Sequence, residues 1–345
     1  MAYTTIDKST DYFNTKLYTG TGASSQAQTG VGFKPDFVWI KSRSSSEGHV
    51  FTDIVRGVTK YLISNTTSAQ VTNTDTLKSF DSDGYTIGPA GVTGGNGVTF
   101  ASMNWKAGTT GSGTTGGSGT GKPYSYSVNT TSGFSIVTYT GNGSAGHTIP
   151  HGLGVAPKFI IVKSYSDTYN WTVYYGDPTD YLVLNATDTT TDSVEVWNDT
   201  APSSTVFTVG NRNSTNQNSS TFVAYCFSEI QGFSKIGSYQ GNANADGTFV
   251  NLGFRPAFLV VKNTQLADNW SMFNSKALGY NTYNHIMYPD LANTESNGLP
   301  IDFLANGFKW RTAAGMANGN NQKLIYMAFA ANPFVTSTGV PTTAN

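Results

Sequence analysis

Residues 116–123, GGSGTGKP, come close to a phosphate-binding loop, with Gly116, four intervening residues, then Gly121 and Lys122. Such a loop cradles phosphates with backbone N–H groups, and it needs a strand before it and a helix starting at the lysine. Here Pro123 stands where a magnesium-binding Ser or Thr is required, TFASMNWK ends well upstream, and the following YSYSVNTTSGFSIVTYTG reads as strand. The surrounding GTTGSGTTGGSGTG has the composition of a flexible linker, so residues 108–133 are expected to be a spacer. His147 and His151 come next, because imidazoles four residues apart converge on a metal when they share a helix face. Pro150 and Gly152 argue against that helix, and a solvated loop is expected instead. FDSDGY at 80–85 has the Asp-x-Asp-Gly of a calcium loop without its closing Glu, and reads as a tight turn with Gly84 at positive φ. No GxSxG elbow, HExxH helix or CxxC pair occurs. No metal, no cofactor and no enzymatic activity are expected.

The frame that would hold any such residue is set first by composition. Charged residues make up 12% and aromatics 13% of the 345, and Gly, Ser, Thr and Asn are abundant, which suits short strands and polar turns. Twenty basic residues against 21 acidic ones leave no excess charge to draw nucleic acid or an anionic membrane. The lone cysteine, Cys226 in FVAYCF, is expected to be a small buried thiol. MAYTTIDKSTDYF lacks the apolar core of a signal peptide, and no run reaches the roughly 18 apolar residues of a membrane span. A soluble, cytoplasmically made chain without membrane insertion is therefore expected.

One pattern occurs three times. GFKPDFVWIK at 32–41, GVAPKFIIVK at 154–163 and GFRPAFLVVK at 253–262 share Gly, Pro, Phe and Lys at the same offsets. The structural signature is thus Gly32, Pro35, Phe37 and Lys41; Gly154, Pro157, Phe159 and Lys163; and Gly253, Pro256, Phe258 and Lys262. KLYTGTG, VTYTGNG and GSYQGNA precede the three copies; DGYTIG, TVFTVG and NGFKWR, then TFASMNW, TFVAYCF and LIYMAFA, close them. The expected domains are 1–107, 134–230 and 231–335, with 108–133 as linker and 336–345 as C-terminal tail.

Segments rich in Val, Ile, Thr, Phe, Tyr and Trp, bounded by Gly, Asn, Asp and Pro, predict strands. The nearly unbroken apolar run of FVWIK and its counterparts predicts a central strand covered on both faces. The proline should occupy that strand's first position, where its missing N–H costs no ladder bond, and the glycine should allow a sharp bend before it. The chain is therefore read as all-β, three tandem homologous antiparallel β-sandwich domains of jelly-roll-like form. The shared lysines are expected to snorkel to solvent, and Trp171 and Trp270, at one repeat position, to be core. A short connection around Gln231 predicts that the second and third domains are rigidly related while the first moves more freely.

The repeat, with YTGTG before it and DGYTIG after it, resembles a domain of virion structural and tail-fibre-type proteins of tailed bacteriophages, cyanophages above all. The likeness covers nearly all of residues 1–335 and is clearest in the first repeat. It implies a non-enzymatic virion protein, a tail fibre or tail-associated host-binding component, with a capsid decoration or scaffold protein as the alternative and a host-polysaccharide depolymerase as a third reading. Other virion proteins, copies of itself and host surface glycan are the implied partners. Three domains in one chain would also mimic a trimer at a threefold or sixfold position of the particle.

Overall fold

The computed structural model describes residues 3–342, so the expected tail is seen only as far as Thr342. The first part of the chain forms β1 (Phe13–Thr19), β2 (Gln26–Thr29), β3 (Phe37–Ser42), β4 (Val50–Asp53), β5 (Lys60–Ile63), β6 (Val71–Thr72), β7 (Leu77–Asp81), β8 (Gly84–Ile87) and β9 (Thr99–Trp105). The middle forms β10 (Thr109–Thr114), β11 (Gly116–Gly117), β12 (Pro123–Asn129), β13 (Phe134–Thr140), β14 (His147–Pro150), β15 (Phe159–Ser164), β16 (Thr172–Tyr174), β17 (Asp180–Val183), β18 (Thr191–Asp192), β19 (Val206–Val209) and β20 (Thr221–Phe227). The last part forms β21 (Ser234–Gln240), β22 (Phe249–Asn251), β23 (Phe254–Asn263), β24 (Ser271–Asn274), β25 (Tyr283–Ile286), β26 (Ser296–Leu304), β27 (Gly307–Trp310) and β28 (Lys323–Pro333). The α-helices among the described residues are single turns, and none is long and apolar enough to cross a membrane.

All pairings are antiparallel, and the sheets come in pairs that make three sandwich-like units. A large sheet, β1-β9-β3-β4-β5-β6, faces β2-β8-β7; β10-β12-β13-β20-β15-β16-β17-β18 faces β11-β14-β19; and β21-β28-β23-β24 faces β22-β27-β26-β25. The signature strands β3, β15 and β23 are central in the large sheets, each between two partners, and wholly buried along the run that predicted this. Their unbroken hydrophobicity has a geometric cause, because alternate strand residues point to opposite faces. Val38 and Ile40 enter a core private to the first unit, as Ile160 and Val162 do in the second and Leu259 and Val261 in the third. Phe37, Trp39, Phe159, Ile161, Phe258 and Val260 all enter one core that the three units share.

That shared core corrects the expectation of a mobile first domain. Trp105, Phe227 and Phe329 pair in register with the signature residues Phe37, Phe159 and Phe258, so they are equivalent positions. Their rings form a triangle with centroids 6.0, 5.6 and 5.9 Å apart. Phe37 stacks on Tyr225 at 4.4 Å, and Phe13 on Phe329 at 4.9 Å. Aromatic pairs at such spacings add about 0.5–1.5 kcal/mol each beyond burial, which holds the first unit as firmly as the others.

The spacer reading of 108–133 is corrected as well. GGSGTGKP closes a hairpin whose arms, β10 and β12, add two strands to the second unit's large sheet, while β11 joins its small one. The glycine-rich arm is held because tyrosines cover it: Tyr126 lies across Gly111, where a Cβ would collide with the ring, and Tyr124 lies across Gly113, where a Cβ would be tightly packed against it. At the tip, Asn142 Nδ2 donates to Ser118 O (2.9 Å) and Thr120 O (3.1 Å). The prolines also differ from expectation. Pro35 and Pro157 precede their strands, and Pro256 lies inside β23 at a register shift that absorbs its missing N–H.

Candidate functional site

The signature residues divide into two roles. Gly32, Gly154 and Gly253 have φ of +94°, +76° and +77°, a bend that residues with a Cβ rarely adopt, as the sequence suggested. In the first unit Asp83, from the FDSDGY turn, fixes that bend by accepting from Gly30 N–H (2.9 Å) and Gly32 N–H (2.6 Å). Gly84 there has φ +142°. Asp81 accepts from Ser79 and Thr86 hydroxyls, both at 2.7 Å.

Lys41, Lys163 and Lys262 do not reach solvent; all three are fully buried. Each lies on the shared-core side of its strand and bridges two units. Lys41 Nζ donates to Glu47 O and to Ala292 O of the third unit (3.1 Å). Lys163 Nζ donates to Asp167 O and to Thr67 O of the first unit (3.0 Å). Lys262 Nζ donates to Asp268 O and to Thr187 O of the second unit (2.8 Å). Carbonyl dipoles compensate a buried charge only in part, and desolvation pulls each ammonium down to about 8 despite acids nearby.

A second set of contacts runs the same way round. Trp171 Nε1 donates to Ile63 O and Thr66 O of the first unit, both at 3.1 Å, and Trp270 Nε1 to Val183 O of the second at 2.9 Å. The equivalent residue of the first unit is His49. Its ring meets the Tyr288 backbone of the third unit with Nε2 outside good hydrogen-bond geometry, while Nδ1 accepts from Trp39 Nε1 (2.9 Å). Burial, then Lys41, hold its pKa well below the usual histidine range, so it is neutral. The backbone N–H groups of His49, Trp171 and Trp270 donate to Asn65, Asn185 and Asp290. First joins third, second joins first and third joins second, so the units close into a ring.

Clusters with paired charges also lie at two of the junctions. Between the first and second units, buried Arg56 donates to Asp53 (2.6 Å) and to Tyr225 Oη (3.1 Å), and Tyr225 donates to Asp53 (2.8 Å). Between the first and third, Arg43 grips both oxygens of Glu295, each at 2.8 Å, and His285 Nδ1 meets the same carboxylate at 2.6 Å.

His147 and His151 are not in a solvated loop. His147 is part of β14, both are buried, and they have separate partners. His147 Nε2 meets Thr115 Oγ1 (2.6 Å) and Nδ1 meets Asn216 Oδ1 (3.0 Å), whereas His151 Nε2 meets Ser203 O (3.2 Å). Among the described residues no group of three His, Cys, Asp or Glu side chains could hold a metal. Cys226 is buried as expected, and burial pushes its thiol above the usual range.

The second unit bears a cleft of about 420 Å³ that motif reading passed over, lined by Tyr169, Asn170, Tyr181, Glu195, Arg212 and Asn213. The Arg212 guanidinium lies 5.2 Å over the Tyr181 ring and 3.6 Å from Glu195. Thr172 Oγ1 donates to Ser214 Oγ (3.0 Å) at its floor. Arg212 begins the helical turn Asn213–Asn216; Ala90 and Ala314 stand at that place before Gly91–Gly94 and Gly315–Asn318. The arginine of this wall is therefore replaced by alanine at the matching place of the other two units. The signal was the break in pattern, TVGNRN against TIGPAG, and it is legible only once the repeats are aligned.

No curated protein and no solved structure matches the chain. The sequence model of the domain of unknown function DUF7483 matches residues 8–333, running without interruption through all three units, and the chain belongs to that family.

Proposed function

We propose that this chain is a non-enzymatic structural protein of a tailed-phage particle, a tail-fibre or tail-associated component that meets the host surface. The observation that carries the reading is the ring: three units repeat the same lysine and backbone contacts around one aromatic core. A ring of this kind presents similar surfaces in three directions, which suits a threefold or sixfold position of a particle. Its equivalent positions also support descent of the units from one jelly-roll-like sandwich. Weak net charge and rigid β-units suit an exposed component. The cleft of Tyr181, Arg212 and Asn213 has the aromatic ring and planar polar groups that saccharides favour, and supplies a place for host glycan.

Electron cryo-microscopy of intact particles tests the position. Three or six copies on the tail are expected, and a full lattice of copies on the capsid would replace this reading with a decoration protein. A glycan array tests the cleft: saccharide binding lost in Tyr181→Ala and Arg212→Ala supports it, and an array without a hit, or binding unchanged in both variants, refutes host recognition through this site. New reducing ends from host polysaccharide would refute the non-enzymatic assignment.

A further inference from the structure

One strand edge is treated in three ways around the ring. β1, β13 and β21 start the three units' large sheets, each pairing on one side with β9, β20 or β28. In the second unit the other side of β13 is extended by β12 and β10, and Ser125 and Ser127 share a cleft with Ile54 and Val55 of the first unit. In the first unit two side chains bond to the edge of β1, one of them Gln26, whose Nε2 donates to Thr19 O (2.8 Å). Lys276 of the third unit donates to Thr15 O (2.6 Å) and Asn14 Oδ1 (2.9 Å). In register Lys276 is equivalent to Val55, each four residues beyond a core residue, Met272 or Phe51, that faces its signature strand.

The third edge is open. β21 ends its sheet, and it is covered at its two ends: Ile230 bridges Ser234, Glu229 accepts from Ile236 N–H (2.9 Å), and Thr248 Oγ1 donates to Gln240 O (2.9 Å), which leaves the Ser238 backbone and the Gln240 N–H facing outward between them. Gly237–Gln240 has no strand on its outer side, and Ser238 is exposed, whereas Thr138 at the matching place of β13 is half-buried and bonded to Ser125 (2.8 Å). Beside this edge lies a cleft of about 460 Å³, lined by Pro157, Tyr175, Gly176, Asp177, Ile236 and Ser238. Gly176 and Asp177 are the equivalents of Ile54 and Val55.

We propose that the Gly237–Gln240 edge accepts one extended strand from a partner protein, with the chemistry of β12: uncharged, and alternating tyrosine with serine. The chain itself seats such a strand, PYSYSVN, at the equivalent edge of its second unit, and the open cleft continues the interface between the second and third units. The cleft has no excess of either charge to select a charged guest, since Lys158 is paired with Glu229 and one acid, Asp177, and one further base, Lys323, line it. Main-chain bonds to the edge supply affinity and the cleft selects alternate side chains. An edge left open is otherwise a site of uncontrolled association.

The test uses the full chain and a labelled synthetic peptide, PYSYSVN, with both termini blocked. Saturable binding is expected, with amide exchange at Ser238 and Gln240 slowed about tenfold or more. Ser238→Pro removes an N–H of the same outward parity as that of Ile236, at an edge where proline is tolerated, and should abolish binding. Asp177→Trp fills the groove from the second unit while leaving the sequence of β21 unchanged and should do the same. No saturable binding at millimolar peptide, or equal binding by both variants, overturns the proposal. Self-association of the free chain that Ser238→Pro abolishes would overturn the assignment to a partner protein, by putting the donor strand in a second copy.

Discussion

Replacing Lys163 by methionine tests the account of the ring junctions through its pH dependence. Methionine keeps the apolar stem and removes the ammonium that donates to Thr67 O and Asp167 O. Leaving those carbonyls unbonded costs about 1–3 kcal/mol at pH 7. The second part of the effect comes from linkage. Burial pulls the Lys163 ammonium down to about 8 in the folded chain from the ordinary lysine value of 10.5, so between these limits the unfolded chain holds a proton that the folded chain has released. Stability from this group is therefore absent below about 8, rises as pH rises through this window, and is fully present above 10.5. Between pH 7 and 9.5 the wild type gains about 2 kcal/mol from it that the variant cannot gain. Comparison with the variant cancels the buried tyrosines and Cys226, which titrate in both. Urea unfolding followed by tryptophan fluorescence at pH 7, 8.5 and 9.5 should show the penalty of Lys163→Met widening by that amount. A penalty that is constant, or that shrinks as pH rises, would refute a buried, charge-depleted lysine at the junction.

Three further outcomes follow from the same contacts. Asp290 stands where the other junctions have Asn65 and Asn185, and burial raises its carboxyl to about 7, so its contribution to stability is lost as pH rises from about 4 to 7. Asp290→Asn should raise the melting temperature at pH 8, with a benefit about 3 kcal/mol smaller at pH 5; an equal benefit at both would contradict this. Trp171→Phe and Trp270→Phe keep a ring but lose the indole bond to the next unit, and each should cost about 1–2 kcal/mol in chemical unfolding, against no change if those bonds are idle. Residues 1–107 expressed alone would bare Phe37, Trp39, Phe51 and Trp105, and should associate or stay unfolded in gel filtration and circular dichroism; a stable folded monomer would show that the shared core is dispensable.

The sequence by itself determined the all-β class, the three repeats and the central strand of each unit, because those properties are local. An apolar run of β-branched and aromatic residues behind a Gly-Pro turn has few ways to fold, and the bend at Gly32, Gly154 and Gly253 is a property of single residues. Even so, the double-sided burial of FVWIK was legible without its reason. Phe37 and Val38 look alike in the sequence, yet one enters the shared core and the other a private one.

Tertiary structure decided everything that depends on a neighbour from another unit. The signature lysines were read as reaching water because their acceptors are carbonyls of Ala292, Thr67 and Thr187, groups every residue carries and no composition marks. Residues 108–121 have a linker's composition, yet Thr109–Thr114 became a strand, because β12 beside it offered ladder bonds and Tyr124 and Tyr126 supplied the apolar cover that Gly111 and Gly113 lack. The same holds for the ring and for the open edge of β21. Repetition in sequence counts units, but whether they trail as beads or close on one another is settled by which faces remain apolar once each sandwich is formed. Here Trp105, Phe227 and Phe329 remained, and burying them against each other is what makes the chain one body.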